Sequence, residues 1–177
     1  MEFKRNKDNK INFNDLPKFD IKNPNYKVNI RWIDFKEHYI EDNKLNINPD
    51  YQREHVWTTK QRIKYIEYIL KGGQSGKDIY ANHPNWMGSF KGDFSLVDGK
   101  QRVTTVLMFL DNEFPIFENV YCRDINRLPN DAEFIFHVNN LKTKKEEMQW
   151  YIDMNNGGTA HTDEEIEKVK KMIEKIN

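Results

Sequence analysis

The chain of 177 residues holds a single cysteine, Cys122, so no disulfide can close within it. Without a second thiol there is also no CxxC pair for redox or zinc chemistry. A reducing, cytoplasmic setting is the expectation. No apolar run approaches the roughly 18 residues of a membrane span, and the start, MEFKRNKDNK, lacks the apolar core of a signal peptide. An excess of one charge is missing as well. Twenty-eight Lys+Arg balance 28 Asp+Glu, and a neutral chain lacks the broad positive field with which proteins coat nucleic acid. Contact with a polyanion therefore has to be local. No Walker lysine loop, GxGxxG run or Ser-His-Asp order is present. His38, His55, His83, His137 and His161 show no ligand spacing such as HxxxH, which argues against a zinc site.

What is there suits one compact domain. Hydrophobic residues make up only 37% and charged residues 32%, yet aromatics reach 13%, which gives a real core beneath a very polar surface. Residues 1–26 are rich in Lys, Asn and Asp without a sustained period, and read as an extended N-terminal arm. The folded unit is expected over 27–177.

Within it, Lys27–Trp32 alternates as a strand, Asp34 is placed to cap a short helix, and Leu45 and Ile47 suggest a second short strand. TTKQRIKYIEYILK, from Thr58 to Lys71, has helical spacing, a Thr cap and a Gly72-Gly73 stop. Asp78–Ala81 and Phe94–Val97 read as strands, Lys100–Leu110 as a helix, and Glu113–Phe117 and Glu133–Val138 as further strands. Helices are expected over Thr143–Met154 and after Thr162, which has capping-box spacing to Glu165. The fold class is α+β, with a small mixed sheet and flanking helices.

The strand-to-helix junction Asp98-Gly99-Lys100-Gln101-Arg102 carries most of the chemistry. A glycine directly after a strand permits a sharp turn, and the helix that follows offers free N–H groups and a dipole to an anion. Lys100 and Arg102 add two cations, the second able to grip phosphate oxygens in a fork. Asp98 could hold Mg²⁺, and Gln101 could position a water or read a base edge. The plainer alternative is a DG turn with Asp98 as cap and two solvated charges. A second candidate is Tyr51-Gln52-Arg53 with Val56-Trp57, an aromatic-backed cationic wall or a core Tyr and Trp with a surface Arg. A third is Asn155-Asn156-Gly157-Gly158-Thr159, either a backbone approach to a ligand or a helix C-cap and turn.

Taken in order, PDYQREHVWTTKQRIKYIEYIL, FSLVDGKQRVTTVLMFL and WYIDMNNGGTAHTDEEIEKV resemble the DUF-262-type family, the N-terminal domain of GmrSD-like modification-dependent restriction proteins, within the ParB/sulfiredoxin-like superfamily. The resemblance runs from about Val28 to Val169. It implies a compact α+β fold with a phosphate-binding cleft at the start of the helix after a DGQQR-type motif, linked in relatives to nucleotide binding and hydrolysis. Carried over residue by residue, Asp98, Gly99, Gln101 and Arg102 match that motif, Arg53 matches the upstream arginine, and Asn155, Gly157, Gly158 and Thr159 match the Asn-Gly turn. Lys100 replaces a usual Gln and His161 a frequent Leu.

The resemblance makes Asp98, Gln101 and Arg102 the expected catalytic set, with Asp98 the Mg²⁺ ligand. Arg53, Gly99, Lys100, Arg102, Thr104, Asn155 and Thr159 are the expected nucleotide contacts. The leading expectation is an NTP-binding, Mg²⁺-dependent phosphohydrolase linked to DNA restriction and phage–host defence. Its alternatives are a non-catalytic module that binds a nucleotide or partner, and ParB-like DNA binding or nicking. Relatives continue into a nuclease domain that this chain is expected to lack, so DNA or a separate nuclease would be a partner.

Overall fold

A computed structural model describes residues 5–11, 26–52, 54, 56–89, 91–155 and 163–176. Most of the expected N-terminal arm falls outside them. Within the arm, residues 5–11 form a turn closed by an Arg5–Ile11 bridge.

Among the described residues, four strands form one mixed sheet in the order β1-β4-β2-β3. β1 (Tyr26–Arg31) pairs antiparallel with β4 (Glu133–Asn139), β4 pairs parallel with β2 (Asp78–Asn82), and β2 pairs antiparallel with β3 (Ser95–Asp98). Alternation along the strands sorts their side chains onto two faces. Ile79, Ala81, Leu96, Phe134, Phe136 and Val138 enter one core with Trp32 and Phe35 of α1 (Trp32–Phe35), Ile66 and Ile69 of α2 (Thr59–Leu70), and Val103, Val106 and Phe109 of α3 (Lys100–Leu110). On the other face, Val97 packs with Tyr51, with Met148, Tyr151 and Ile152 of α4 (Lys144–Asn155), and with Val169 of α5 (Asp163–Glu174). The α+β class with a small mixed sheet is thus observed.

Local chemistry explains the helix limits. Thr58 caps α2 in a reciprocal box, its Oγ1 accepting the Gln61 N–H while Gln61 Oε1 accepts the Thr58 N–H. Thr143 and Glu146 make the same exchange at the start of α4. α1 begins one turn earlier than Asp34 suggested: Asp34 lies inside the first turn and pairs with Arg31 Nε at 2.7 Å. α1 runs on into a π-helical stretch, Lys36–Asp42.

Two expected strands shrink to single bridges. Next to the stop at Asn48-Pro49, only Asn46 pairs, with Ser95. Over Glu113–Phe117 a tight turn with positive φ at Phe117 and Glu118 leaves only the Ile116–Val120 bridge. Tyr80 pairs with Asp98 but Ala81 with Leu96, so Val97 is an extra residue bulging from β3.

Candidate functional site

The bulge sets the geometry of the turn that follows. It lets Val97 face α4 while Asp98, at the last position of β3, stands beside Tyr80 of β2. Gly99 then takes φ 100°, and a Cβ there would lie 2.6 Å from Ile79 Cγ2. Only glycine satisfies both the left-handed backbone and this close approach. α3 starts at once, its N-cap Gly99 lacking any side chain to bond the helix's free N–H groups. The α3 N-terminus therefore keeps its donors and the positive end of its dipole for another acceptor.

Two cations stand at this end. Lys100 is 7% exposed, and its Nζ lies 4.0 Å from Glu54, whose own side chain is 96% exposed. Arg102 Nη2 donates to Asp98 Oδ2 at 2.7 Å, while its buried Nε has no hydrogen-bond partner. A buried guanidinium N–H without an acceptor is costly, and placed at a helix N-terminus it is a donor ready for an anion. Arg102 also acts electrostatically on two tyrosines. Burial raises the Tyr65 hydroxyl well above its ordinary range and Arg102 pulls it back. Burial, with Asp78 and Asp98, raises Tyr80, and Arg102 again opposes the shift.

Gln101 does something different from its neighbours. Its Oε1 accepts the backbone N–H groups of Val56 at 2.9 Å and Trp57 at 3.1 Å, and its Nε2 donates to the Glu54 carbonyl at 3.2 Å. The side chain is a clip that holds Glu54, Val56 and Trp57 against the first turn of α3. Gln52 is anchored separately, its Nε2 donating to the carbonyls of Leu96 and Val97 at 2.6 and 2.8 Å. Tyr51, only 2% exposed, donates to the buried Glu147 of α4 at 2.9 Å. Tyr51 is thus a core anchor and no part of an open wall. Trp57 packs edge-to-face on Tyr65, with ring centres 5.4 Å apart.

Arg53 and Thr159 lie outside the described residues, as do Gly157, Gly158 and His161. Thr104 sits one turn beyond Lys100 in α3, partly exposed. Asn155 ends α4 and donates its side-chain amide to the Tyr151 carbonyl at 2.6 Å. Asp98, Gly99, Lys100, Gln101 and Arg102 do come together.

Sequence reasoning missed Tyr65, Tyr80, Glu54 and the pair His137–Asp78, joined at 2.7 Å. His137 stacks on Tyr80 with ring centres 4.4 Å apart. The alternation of Asp78 and Tyr80 along one strand signals a shared face; their place beside Asp98 depends on strand order.

Residues 35–177 match the family described as GmrSD restriction endonuclease, N-terminal domain. The chain belongs to this family. No curated protein and no solved structure matches it. Membership in the GmrSD N-terminal domain family associates the chain with DNA restriction. In this GmrSD-type domain, no group of three or more His, Cys, Asp or Glu side chains among the described residues is arranged to hold a metal ion. None of its helices, among the same residues, is long and apolar enough to cross a membrane.

Proposed function

We propose that the domain binds the phosphates of a nucleoside triphosphate at the N-terminus of α3 and hydrolyses it in the service of DNA restriction and phage defence. The observation that carries this reading is the uncapped start of α3 beside Lys100 and the unpartnered Nε of Arg102. Helix N–H groups and fixed cations are a preorganised seat for phosphate oxygens, and they stabilise charge on a transferring phosphoryl group. Arg102 and Lys100 bind the phosphates, Gly99 lets the backbone approach them, and Arg53, Thr104, Asn155 and Thr159 complete the contacts.

Mg²⁺ in nucleotide sites takes one or two carboxylates and the substrate's own phosphates. Asp98 supplies one carboxylate here, which fits a cation arriving with the nucleotide. When bound it would neutralise charge on the phosphates, with Asp98 as its protein ligand.

A second reading, nucleotide binding without turnover, is favoured by Gln101. Its amide is already spent on three backbone groups and would have to leave them to orient an attacking water. DNA, or a nuclease partner, is then the object that the nucleotide state controls.

Calorimetry and phosphate release with each NTP and Mg²⁺ separate the readings, using wild type, Arg102→Ala and Asp98→Ala. Binding with release, both lost in Arg102→Ala, supports the hydrolase. Binding alone supports the sensor. No NTP binding above that of Arg102→Ala overturns both, and a strongly salt-dependent DNA shift in its place points to direct DNA binding.

A further inference from the structure

The two edges of the sheet are finished differently. Along the outer edge of β3, the Asn46 N–H and carbonyl pair with Phe94 and Leu96 at 2.8 and 2.9 Å, and Gln52 takes the Leu96 and Val97 carbonyls. That edge is bulged and covered. At the opposite edge, β1 runs six residues in unbroken register with β4 and holds no proline. Among the described residues no other strand pairs with β1, and no side chain bonds its outer backbone. Three strand spacings, about 14 Å, separate it from β3, so this edge does not draw on the nucleotide reading.

One hydrogen bond fixes the phase of this edge. The Trp32 N–H donates to the Ala132 carbonyl at 3.0 Å, one step past the Arg31 and Glu133 pair, so Val28 and Ile30 bond to β4 by the alternation of an antiparallel ladder. The N–H groups of Lys27, Asn29 and Arg31 and the carbonyls of Lys27 and Asn29 therefore point outward. The Ile135 N–H agrees: opposite Asn29, it turns away from β1 to the Lys77 carbonyl at 3.0 Å. Unpaired groups in this order are a template for another strand.

A groove of about 590 Å³ is lined by both faces of β1, Val28 and Ile30 on one and Asn29 and Arg31 on the other, together with His38 and Tyr39 of the π-helical stretch. A cavity lined by both faces of one strand lies along its edge. Val28 and Ile30 are only partly buried, which leaves apolar surface for a neighbour's side chains. Lys27, Asn29 and Arg31 are exposed. Lys27 has no ion pair among the described residues; Arg31 gives Nε and Nη2 to Asp34 at 2.7 and 3.0 Å, which leaves Nη1. Asn29 bonds Glu133 at 3.0 Å.

From this arrangement we propose that β1 is a docking edge for an extended segment of a partner protein in which apolar residues alternate with acidic ones. The segment adds a strand to the sheet: its backbone bonds Lys27, Asn29 and Arg31, its apolar side chains lie beside Val28 and Ile30, and its carboxylates face Lys27 and Arg31. Backbone bonds supply the affinity, and the alternation sets the register.

The test is NMR titration and amide exchange on the full chain with a capped hexapeptide of alternating valine and glutamate. In the free chain the Lys27, Asn29 and Arg31 amides should exchange fast; the peptide should shift them saturably and slow their exchange. A copy with lysine for glutamate should bind about five-fold more weakly, the reach of an exposed charge pair, and Lys27→Glu should remove that preference. Asn29→Pro deletes one outward donor and spares the β4 ladder, a place where edge strands accept proline. It should weaken binding by about five-fold or more, the worth of one hydrogen bond. No saturable shift at millimolar peptide overturns the proposal, as does equal binding of the two peptides or undiminished binding to Asn29→Pro. Protection of the three amides in the free chain overturns it too: if it grows with protein concentration a second copy occupies the edge, and if it does not the chain covers the edge itself.

Discussion

Gln101 holds Val56: its Oε1 accepts the Val56 N–H at 2.9 Å, and the same oxygen takes the Trp57 N–H. One side chain, which also donates to the Glu54 carbonyl, thereby holds Glu54, Val56 and Trp57 at the start of α3. Gln101→Ala frees three backbone groups, and because the site is near the surface water can take them up. The expected loss of stability is about 1–2 kcal/mol, less than three separate bonds would suggest. Hydrogen exchange should show faster exchange at the Val56 and Trp57 amides with α2 unaffected. Unchanged exchange there would remove the clip from the account.

Gly99→Ala should be the most damaging small substitution at the turn. The left-handed backbone costs a residue with a Cβ about 1–2 kcal/mol. The new methyl would also meet Ile79, itself fully buried, at 2.6 Å, and overpacking adds about 1–3 kcal/mol. Urea unfolding should therefore show a loss of about 2–5 kcal/mol. A loss below 1 kcal/mol would mean that β2 and α3 have more freedom to part than their packing suggests.

The elements that were legible in the sequence are those whose signals are local. α2 announces itself through Thr58, Gln61 and the glycines after it, and α3 through Gly99 and the spacing of Val103, Val106 and Leu110. The DG turn also exposed the candidate site, because a glycine between a strand and a helix with two nearby cations is contiguous chemistry. The bulge at Val97 was not legible, since it exists only in the pairing of β3 with β2. For the same reason Tyr80, His137 and Asp98 could not be brought together in advance: they lie on three strands whose order departs from sequence order. For Tyr51 the sequence leaves a wall and a core position open, and the choice of the core rests on a partner, Glu147, that is 96 residues away; the clip made by Gln101 is not legible because its partners are backbone groups without a sequence signature.

Stability should fall at alkaline pH, and Tyr51 should account for part of the fall. Burial and the neighbouring Glu147 carboxylate raise its hydroxyl far above the ordinary value of 10.0; burial raises Tyr65 as well. The folded state then holds these protons where the unfolded chain releases them. Their contribution is intact below pH 10 and declines above it, by up to about 1.4 kcal/mol per pH unit for each such tyrosine. Tyr51→Phe strands Glu147 with fewer donors, costing about 1–3 kcal/mol at neutral pH. The variant's decline above pH 10 should be shallower than that of wild type. Parallel alkaline limbs in denaturant titrations would contradict the assignment.

Arg102 separates affinity from stability. Its bond to Asp98 reaches back across the Gly99 turn to the end of β3, and both side chains are partly exposed, 25% and 38%, so breaking it should cost less than about 1 kcal/mol. Binding should respond much more. Arg102→Lys keeps the charge but loses the fork, and a lysine meets phosphate as a point charge without the second N–H. NTP affinity is expected to drop about ten-fold in Arg102→Lys and at least a hundred-fold in Arg102→Ala, since charge-assisted bonds contribute about 1.5–3 kcal/mol each. Melting temperatures of the free proteins should stay within a few degrees of wild type. Equal affinities in Arg102→Lys and wild type would reduce the residue to a general positive charge, and would leave the unpartnered Nε without a ligand to explain it.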